Sequence, residues 1–413
     1  MTSYVRAGVG GWYVRDTLKN SPLCKPLSFR PEEALRERLL SAKCAWSILQ
    51  KMFNFFDDHL RESWVWSINY TLGRSPKVGG IMENFTRNQH FISQSEQRSN
   101  CIDESRPKEK QRIYKFEVAD RENNVVRLTN TEGVKIKKNL SFDDLFSFDV
   151  KSSSLRKNLE EFFWKFEEDL APATDLLISE SRVNSEGDVL KGAAERVFKA
   201  KFMGWIRNPY SIARTIDMYK GLVGLYPTDP SLLANFSEIR TGAKPHLTGV
   251  CAEFGVTSDQ YFQWLEILFL ALMTPPGETK SILESSVEKV VESKGHMGHV
   301  IVATYDDVAG CRVAIPDTGY LQGTQDPNHN MFLFNLNRSA FASFNVVDLT
   351  KQTLVKVPPR MREQVELFNI KFSAQHHHNN MKLLEKFNLL AAYQAHSHIF
   401  CAEPQVFGIT TIQ

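Results

Sequence analysis

The chain predicts a helix-dominated α+β fold: a single large domain with a β-hairpin and a small sheet, plus a helical amino-terminal extension. Three observations predict it. Apolar residues recur at three- and four-residue steps from Pro31 to Leu60, from Leu155 to Met273 and again near the carboxy terminus, which is helical periodicity. Short runs such as "IYKFEV", "NVVRLT", "HVIVATYDD" and "NMFLFNLN" break those stripes and read as strands. No internal repeat and no low-complexity segment intervenes.

The elements follow in chain order. Pro31 suits a first helical turn, Glu32 and Glu33 suit its positive end, and Leu35, Leu39, Trp46, Leu49, Phe53, Phe56 and Leu60 form one apolar stripe. "LGRSPKVGG", Leu72 to Gly80, is linker chemistry, so a boundary is placed there, between an extension over residues 1–80 and a core domain over residues 81–413. "IYKFEV" and "NVVRLT" flank "ADRENN" as a hairpin, and the aromatic residues of "KIKKNLSFDDLFSFD" are expected to clip it to the core. From Ser154 a helix is expected, with Leu155, Leu159, Phe162, Phe166 and Leu170 on one face, Glu160, Glu161, Lys165 and Glu168 off it, and Ser152 to Ser154 as caps. Further helices are expected over 188–206, 209–223, 229–239 and 258–273, the last stopped by Pro275 and Pro276. Strands follow at His299–Asp307, Cys311–Asp317 and Asn330–Asn337. The tail from Arg360 to Ala395 reads as helix, ending in "HSHIFCA" as a short strand.

Bulk composition excludes several classes. With 42% hydrophobic and 24% charged residues the chain has the profile of a globular protein rather than a disordered or fibrous one. Fifty basic residues against 48 acidic ones leave no long-range field to draw the whole molecule onto nucleic acid, although a local basic groove remains open. The six cysteines stand singly, which fits a reducing cytoplasm better than a disulfide framework. No run approaches the ~18 apolar residues of a membrane helix, and "WLEILFLALM" is too short. No membrane association is expected.

Phosphate-loop, nucleophile-elbow and zinc-protease motifs are absent, and Pro316-Asp317 is only half of a restriction-type nuclease pattern. Two constellations remain. In "RNQHFISQSEQR" the spacing stacks His90 beside Gln94 and Gln94 beside Arg98, with Arg87 just before; a base, an amide and a guanidinium on one side suit a phosphodiester. The competing reading is a structural hook whose polar groups bond backbone so that Phe91 and Ile92 are buried. In "HSH", His396 and His398 on a strand would share a face and one divalent metal ion, or serve structure alone. His376 to His378 read as a solvated helix end. Asn388, eight residues before His396, has the asparagine-then-histidine spacing of His-Asn-His nucleases, but the distance to His90 excludes a local unit of that kind. A site would need the two ends folded together.

"RNQHFISQ", "FMGWIRNPY", "AIPD" with "MFLFNLN", and "LLEKFNLLAAYQAHSHIF" occur in an order that resembles the bacterial domain of unknown function 4238, over about residues 83–403. In that family the His-x-x-x-Gln element stands near the amino terminus, so the resemblance implies that Met82 is a former or alternative start. It also implies that His90, Gln94, Arg207, Asn208, Asp317 and Asn388 are the positions that matter. The chain departs from it at Ile315–Gly319, where the family tends to Thr-Ser-Asp-x-Pro, which weakens Asp317, and at Leu333–Leu336. Some family members look like genes of anti-phage defence islands. The expectation is therefore a cytoplasmic defence or toxin-type effector acting on nucleic acid as a metal-dependent nuclease. His90, Gln94 and Asn388 would be catalytic, Arg87, Arg98, Arg207 and Asn208 would bind substrate, and His396, His398 and Asp317 would hold the metal. The rivals are a non-catalytic sensor or interaction protein and an enzyme acting on a small nucleotide.

Overall fold

The computed structural model describes residues 87–149, 156–275, 277–292, 296–306, 308–323, 328–349 and 372–413, all within a compact unit that runs from Cys44 to Gln413. The expected helix at Pro31–Leu60 and the boundary at Leu72–Gly80 lie outside the described residues. Among the described residues the chain is mixed α and β, with nine helices and several small sheets.

The chain enters through β1 (Asn88–His90) and the one-turn α1 (Gln94–Arg98). The expected hairpin is β2 (Arg112–Asp120) and β3 (Val125–Leu128), paired antiparallel. Its turn forms because the Asp120 carboxylate accepts the N–H groups of Glu122 and Asn123 while Asn124 takes φ 54°, which asparagine tolerates. β4 (Val134–Lys135), β5 (Ser141–Asp143), β6 (Ser147–Asp149) and β7 (Arg156–Asn158) are short: β5 returns to pair with β1, and β6 pairs with β7.

Helices then follow: α2 (Glu160–Val183), α3 (Asp188–Ile206), α4 (Ile212–Met218), α5 (Pro230–Thr241), α6 (Leu247–Phe254), α7 (Ser258–Leu272) and α8 (Ile282–Glu292). Of the helix expected from Ser154, residues 150–155 with the caps Ser152 to Ser154 lie outside the described residues, and the described helix begins at Glu160. Residues 156–158 are taken up by strand pairing with β6, and the Asn158 carboxamide oxygen accepts the Glu160 N–H at 3.0 Å. The expected 209–223 helix is cut to Ile212–Met218, between a single turn opened by Pro209 and another that ends at Leu222. α7 lies at the centre of the core. A capping box between Thr257 and Gln260 starts it, and nearly every residue from Trp264 onward is buried.

A five-stranded sheet carries β10 (Leu321–Gln322), β11 (His329–Asn337), β12 (Ala340–Asp348), β8 (His296–Thr304) and β13 (Phe372–His378) in that order, with only β13 parallel to its neighbour. Strand alternation sorts its two faces. Val300, Val302, Phe332, Phe334, Ala342 and Phe344 join the helical core, where Phe198 of α3 lies 5.4 Å from Phe344 and 5.6 Å from Phe332. Ala303, Leu321 and Phe341 face the last helix, α9 (Met381–Gln394), where Phe341 stacks on Phe387 at 4.4 Å.

The second sheet joins the hairpin to the carboxy-terminal strands. β14 (His398–Cys401) pairs with β2 and with β9 (Ile315–Pro316), and β15 (Thr410–Ile412) lies parallel to β3. Two expectations change here. The helix expected across residues 360–395 is helix only from Met381: Phe372–His378 is an edge strand on β8, so His376 to His378 are not a helix end, while residues 360–371 lie outside the described set. The break comes at Asn379, with φ 51°, and Asn380, whose side chain caps α9. Only two residues of Cys311–Asp317 are strand.

Candidate functional site

The opening motif divides its polar residues between two jobs. Gln89 is fully buried; its amide donates to Ser147 Oγ at 2.9 Å and its carbonyl accepts the Phe146 N–H. Gln97 is likewise buried and donates to the carbonyls of Ile92 and Asn139 at 2.9 and 3.1 Å. These two glutamines are the structural hook, and they hold Phe91 and Ile92 in the core. Lys201 of α3, itself buried, pairs with Glu96 at 2.5 Å and fastens α1 to the helices.

His90, Gln94 and Arg98 form a separate polar chain. Strand β1 delivers His90, Ser93 turns the backbone and accepts the Glu96 N–H at 3.0 Å, and Gln94 opens the helix. Arg98 donates to the Gln94 side-chain oxygen Oε1, and the Gln94 side-chain amide nitrogen approaches His90 Nδ1 at 3.4 Å. The other ring nitrogen, Nε2, lies 3.4 Å from the Ile136 carbonyl. A carbonyl only accepts, so Nε2 carries the proton and Nδ1 keeps its lone pair. Both bonds are long and therefore weak. Burial pushes the His90 pKa below 6.5; the Ile136 carbonyl opposes this, Arg207 and Arg98 add to it, and Glu167 works against it.

Those last interactions define a partly buried charge cluster that His90 shares with the helices. Arg207 ends α3 and is 1% exposed. Its place is set by Trp264 of α7, whose indole N–H donates to the Ile206 carbonyl at 2.7 Å. The guanidinium pairs with Glu167 at 2.5 Å and lies 4.9 Å over the Phe163 ring. One turn pair earlier on α2, Glu160 is pushed up to about 7 by burial, with Arg207 opposing and Glu167 reinforcing the shift. Glu160 Oε1, Arg98 Nε and Arg207 Nε and Nη1 are buried without a hydrogen-bond partner among the described residues. The Glu167 contact is thus an ion pair by distance rather than an aligned hydrogen bond. An imidazole whose pKa is lowered, a carboxyl whose pKa is raised to about 7 and two guanidinium groups with unused donors make an arrangement able to bind an anion and move a proton.

The remaining candidates do other work. Arg87 is exposed, and its carbonyl accepts the Asp144 N–H at 2.7 Å. Asn208 is fully buried; it donates to the Asp317 carbonyl at 2.9 Å and accepts the Tyr210 N–H at 3.0 Å. The Asp317 carboxylate accepts the backbone N–H groups of His396, Ser397 and His398 at 2.6, 2.7 and 2.8 Å, so its oxygens are already used. His396 precedes β14 in a bend and stacks on Tyr210 at 4.3 Å, while His398 Nδ1 contacts Ser397 Oγ at 2.6 Å. The expected same-face pair does not form, and these three residues do not fit a metal ion. Among the described residues no group of three or more His, Cys, Asp or Glu side chains is arranged to hold one.

Asn388 is fully buried among backbone groups. It accepts the Ala314 N–H at 3.0 Å and donates to the Arg312 and Phe407 carbonyls, both at 3.1 Å. Its partners and those of His90 have no residue in common, and both of its N–H donors and one lone pair of its oxygen are spent on backbone groups.

Sequence reasoning placed Glu160 off the apolar face of its helix and passed over Glu167. A signal existed: Glu160, Glu167, Thr174 and Ser181 recur every seven residues beside the apolar stripe of Phe163, Leu170 and Leu177, and Thr174 and Ser181 are 5% exposed. A polar residue at each heptad of a buried helix face marks a polar seam. No protein-family model, curated protein or solved structure matches the chain.

Proposed function

We propose that the protein acts on the phosphodiester backbone of nucleic acid at the His90 centre, as a cytoplasmic effector of the defence or toxin kind. His90 Nδ1 is the general base once its weak 3.4 Å contact with the Gln94 amide gives way to substrate, Glu160 is the general acid, Arg207 and Arg98 hold the phosphate, and the Ile136 carbonyl fixes the tautomer of the imidazole. One observation carries this reading: Arg98 and Arg207, whose charges act on His90, and Glu160, whose charge meets that of Arg207, keep buried polar atoms that no described residue satisfies. A buried donor left unpaired costs about 1–3 kcal/mol, which an arriving phosphate would recover. The resemblance to the domain of unknown function 4238 adds the defence context and nothing about chemistry. Asn388, Asp317, His396 and His398 have no part in this site.

A second reading has its own support. Gln89 and Gln97 are entirely structural, and a non-catalytic sensor would use the whole motif that way. Plasmid and RNA degradation by the wild type and by His90→Ala, with and without divalent metal, separates the two when melting temperatures are recorded alongside. Cleavage lost with the melting temperature kept supports the catalytic reading. No cleavage by the wild type under any condition removes it.

A further inference from the structure

The strand opposite His90 presents a hydroxyl that the site has not yet used. β1 and β5 run antiparallel, with Asn88 opposite Asp143, Gln89 opposite Phe142 and His90 opposite Ser141. Backbone bonds bracket the ribbon: Asp144 N–H to the Arg87 carbonyl at 2.7 Å and Phe91 N–H to the Leu140 carbonyl at 3.0 Å. Hydrogen-bonded and non-hydrogen-bonded pairs alternate along an antiparallel ladder, so His90–Ser141 and Asn88–Asp143 are both non-hydrogen-bonded pairs, in which side chains stand closest. Their Cβ atoms are about 5 Å apart.

All four side chains share one face of the ribbon. Asn88 Nδ2 reaching Asp143 Oδ1 at 3.4 Å is direct evidence of that. Burial is graded along the face: Asp143 is exposed, Asn88 and Ser141 are half-buried, and His90 is buried, so the face leads from solvent to the imidazole. Ser141 Oγ and Asn88 Oδ1 are both buried atoms without a hydrogen-bond partner among the described residues. They are neutral groups on the ribbon face that ends at His90, on which the charges of Arg207 and Arg98 act. The amide oxygen accepts only, and the hydroxyl both donates and accepts. The ligand that matches carries a neutral hydroxyl next to a phosphate.

We infer that the substrate is ribonucleic: the ribose 2′-hydroxyl is received by Ser141 on the face that Asn88 extends, alongside His90. This rests on the reading of the His90 centre as a phosphodiester site. The 2′-hydroxyl is the group by which proteins tell RNA from DNA, and it is an internal nucleophile. Its proton passes to His90 Nδ1 as the 2′-oxygen bonds to phosphorus, the bond from phosphorus to the 5′-oxygen breaks, and that oxygen takes the Glu160 proton. The products are a 2′,3′-cyclic phosphate and a 5′-hydroxyl. The proton then returns from His90 to Glu160 through solvent, and no other reactant is consumed.

The test uses the full chain with four oligonucleotides of one sequence: RNA, DNA, DNA with a single ribonucleotide, and 2′-O-methyl RNA, each with chelator and with magnesium. The expected result is cleavage of RNA, and of the mixed strand at its one ribonucleotide, leaving a cyclic phosphate seen by mass spectrometry, with the other two strands intact. Ser141→Ala should slow RNA cleavage about tenfold, the value of one hydrogen bond, at an unchanged melting temperature. Equal cleavage of DNA, ends without a cyclic phosphate, or an unaffected Ser141→Ala overturns this inference while the phosphodiester reading stands. If no strand is cut, that reading fails first and takes the inference with it.

Discussion

Replacing Glu160 by glutamine tests the partly buried charge cluster without reference to any substrate. The carboxyl is pushed from its ordinary 4.5 up to about 7, chiefly by burial. Because the folded value is the higher one, the favourable protonated state is fully present below about 4.5 and is lost as pH rises through about 7. A separation of roughly 2.5 units corresponds to about 3 kcal/mol. Glutamine has the shape of the protonated acid and never ionises, so Glu160→Gln should be more stable than the wild type by about 3 kcal/mol at pH 8 and by less than about 1 kcal/mol at pH 5. His90 titrates in the opposite sense, losing stability as pH falls, but it is present in both proteins and its contribution largely cancels in the difference. Urea denaturation of both proteins across this pH range reads the result. A stability difference that does not change with pH would mean that Glu160 is solvated and ionised throughout, and the cluster would not exist in the form described.

Two further outcomes follow from the same geometry. Asn388→Ala strips partners from the Ala314 N–H and from the Arg312 and Phe407 carbonyls, and should cost about 2–4 kcal/mol in denaturation while activity per folded molecule is unchanged. The rate of phosphodiester cleavage should be bell-shaped in pH, limited on the acid side by His90 below 6.5 and on the alkaline side by Glu160 near 7, with the alkaline limb altered in Glu160→Gln.

Elements whose pattern is local were legible. The alternation around "ADRENN" gave the hairpin, and the stripes over 188–206 and 258–273 gave α3 and the body of α7. Where a partner strand decides the outcome, periodicity misled. The three histidines at 376–378 extend because β8 offers its edge, and the residues at 156–158 extend because β6 does. The site divides in the same way. His90, Gln94 and Arg98 are close in sequence and their order along the polar chain follows from spacing. Glu160, Glu167 and Arg207 join them only through the packing of α2 against α3, and Ser141 only through strand pairing. Asn388 looked chemical from its spacing to His396, and Asp317 from the Pro316-Asp317 pair and the family resemblance; their partners are backbone groups at 312, 314 and 407 and at 396–398, which a linear reading does not reveal.

The central claim is that His90 is held as a neutral base by its burial, with the charges of Arg207 and Arg98 adding to it. Histidine-labelled protein followed by NMR through a pH titration, with the His90 signal assigned by its loss in His90→Asn, measures this most directly. The account predicts a neutral Nε2–H imidazole that titrates below 6.5, and a rise toward that value in Arg207→Met, which removes a charge that lowers it. An imidazole that titrates at or above 6.5, and does so equally with and without Arg207, would contradict it.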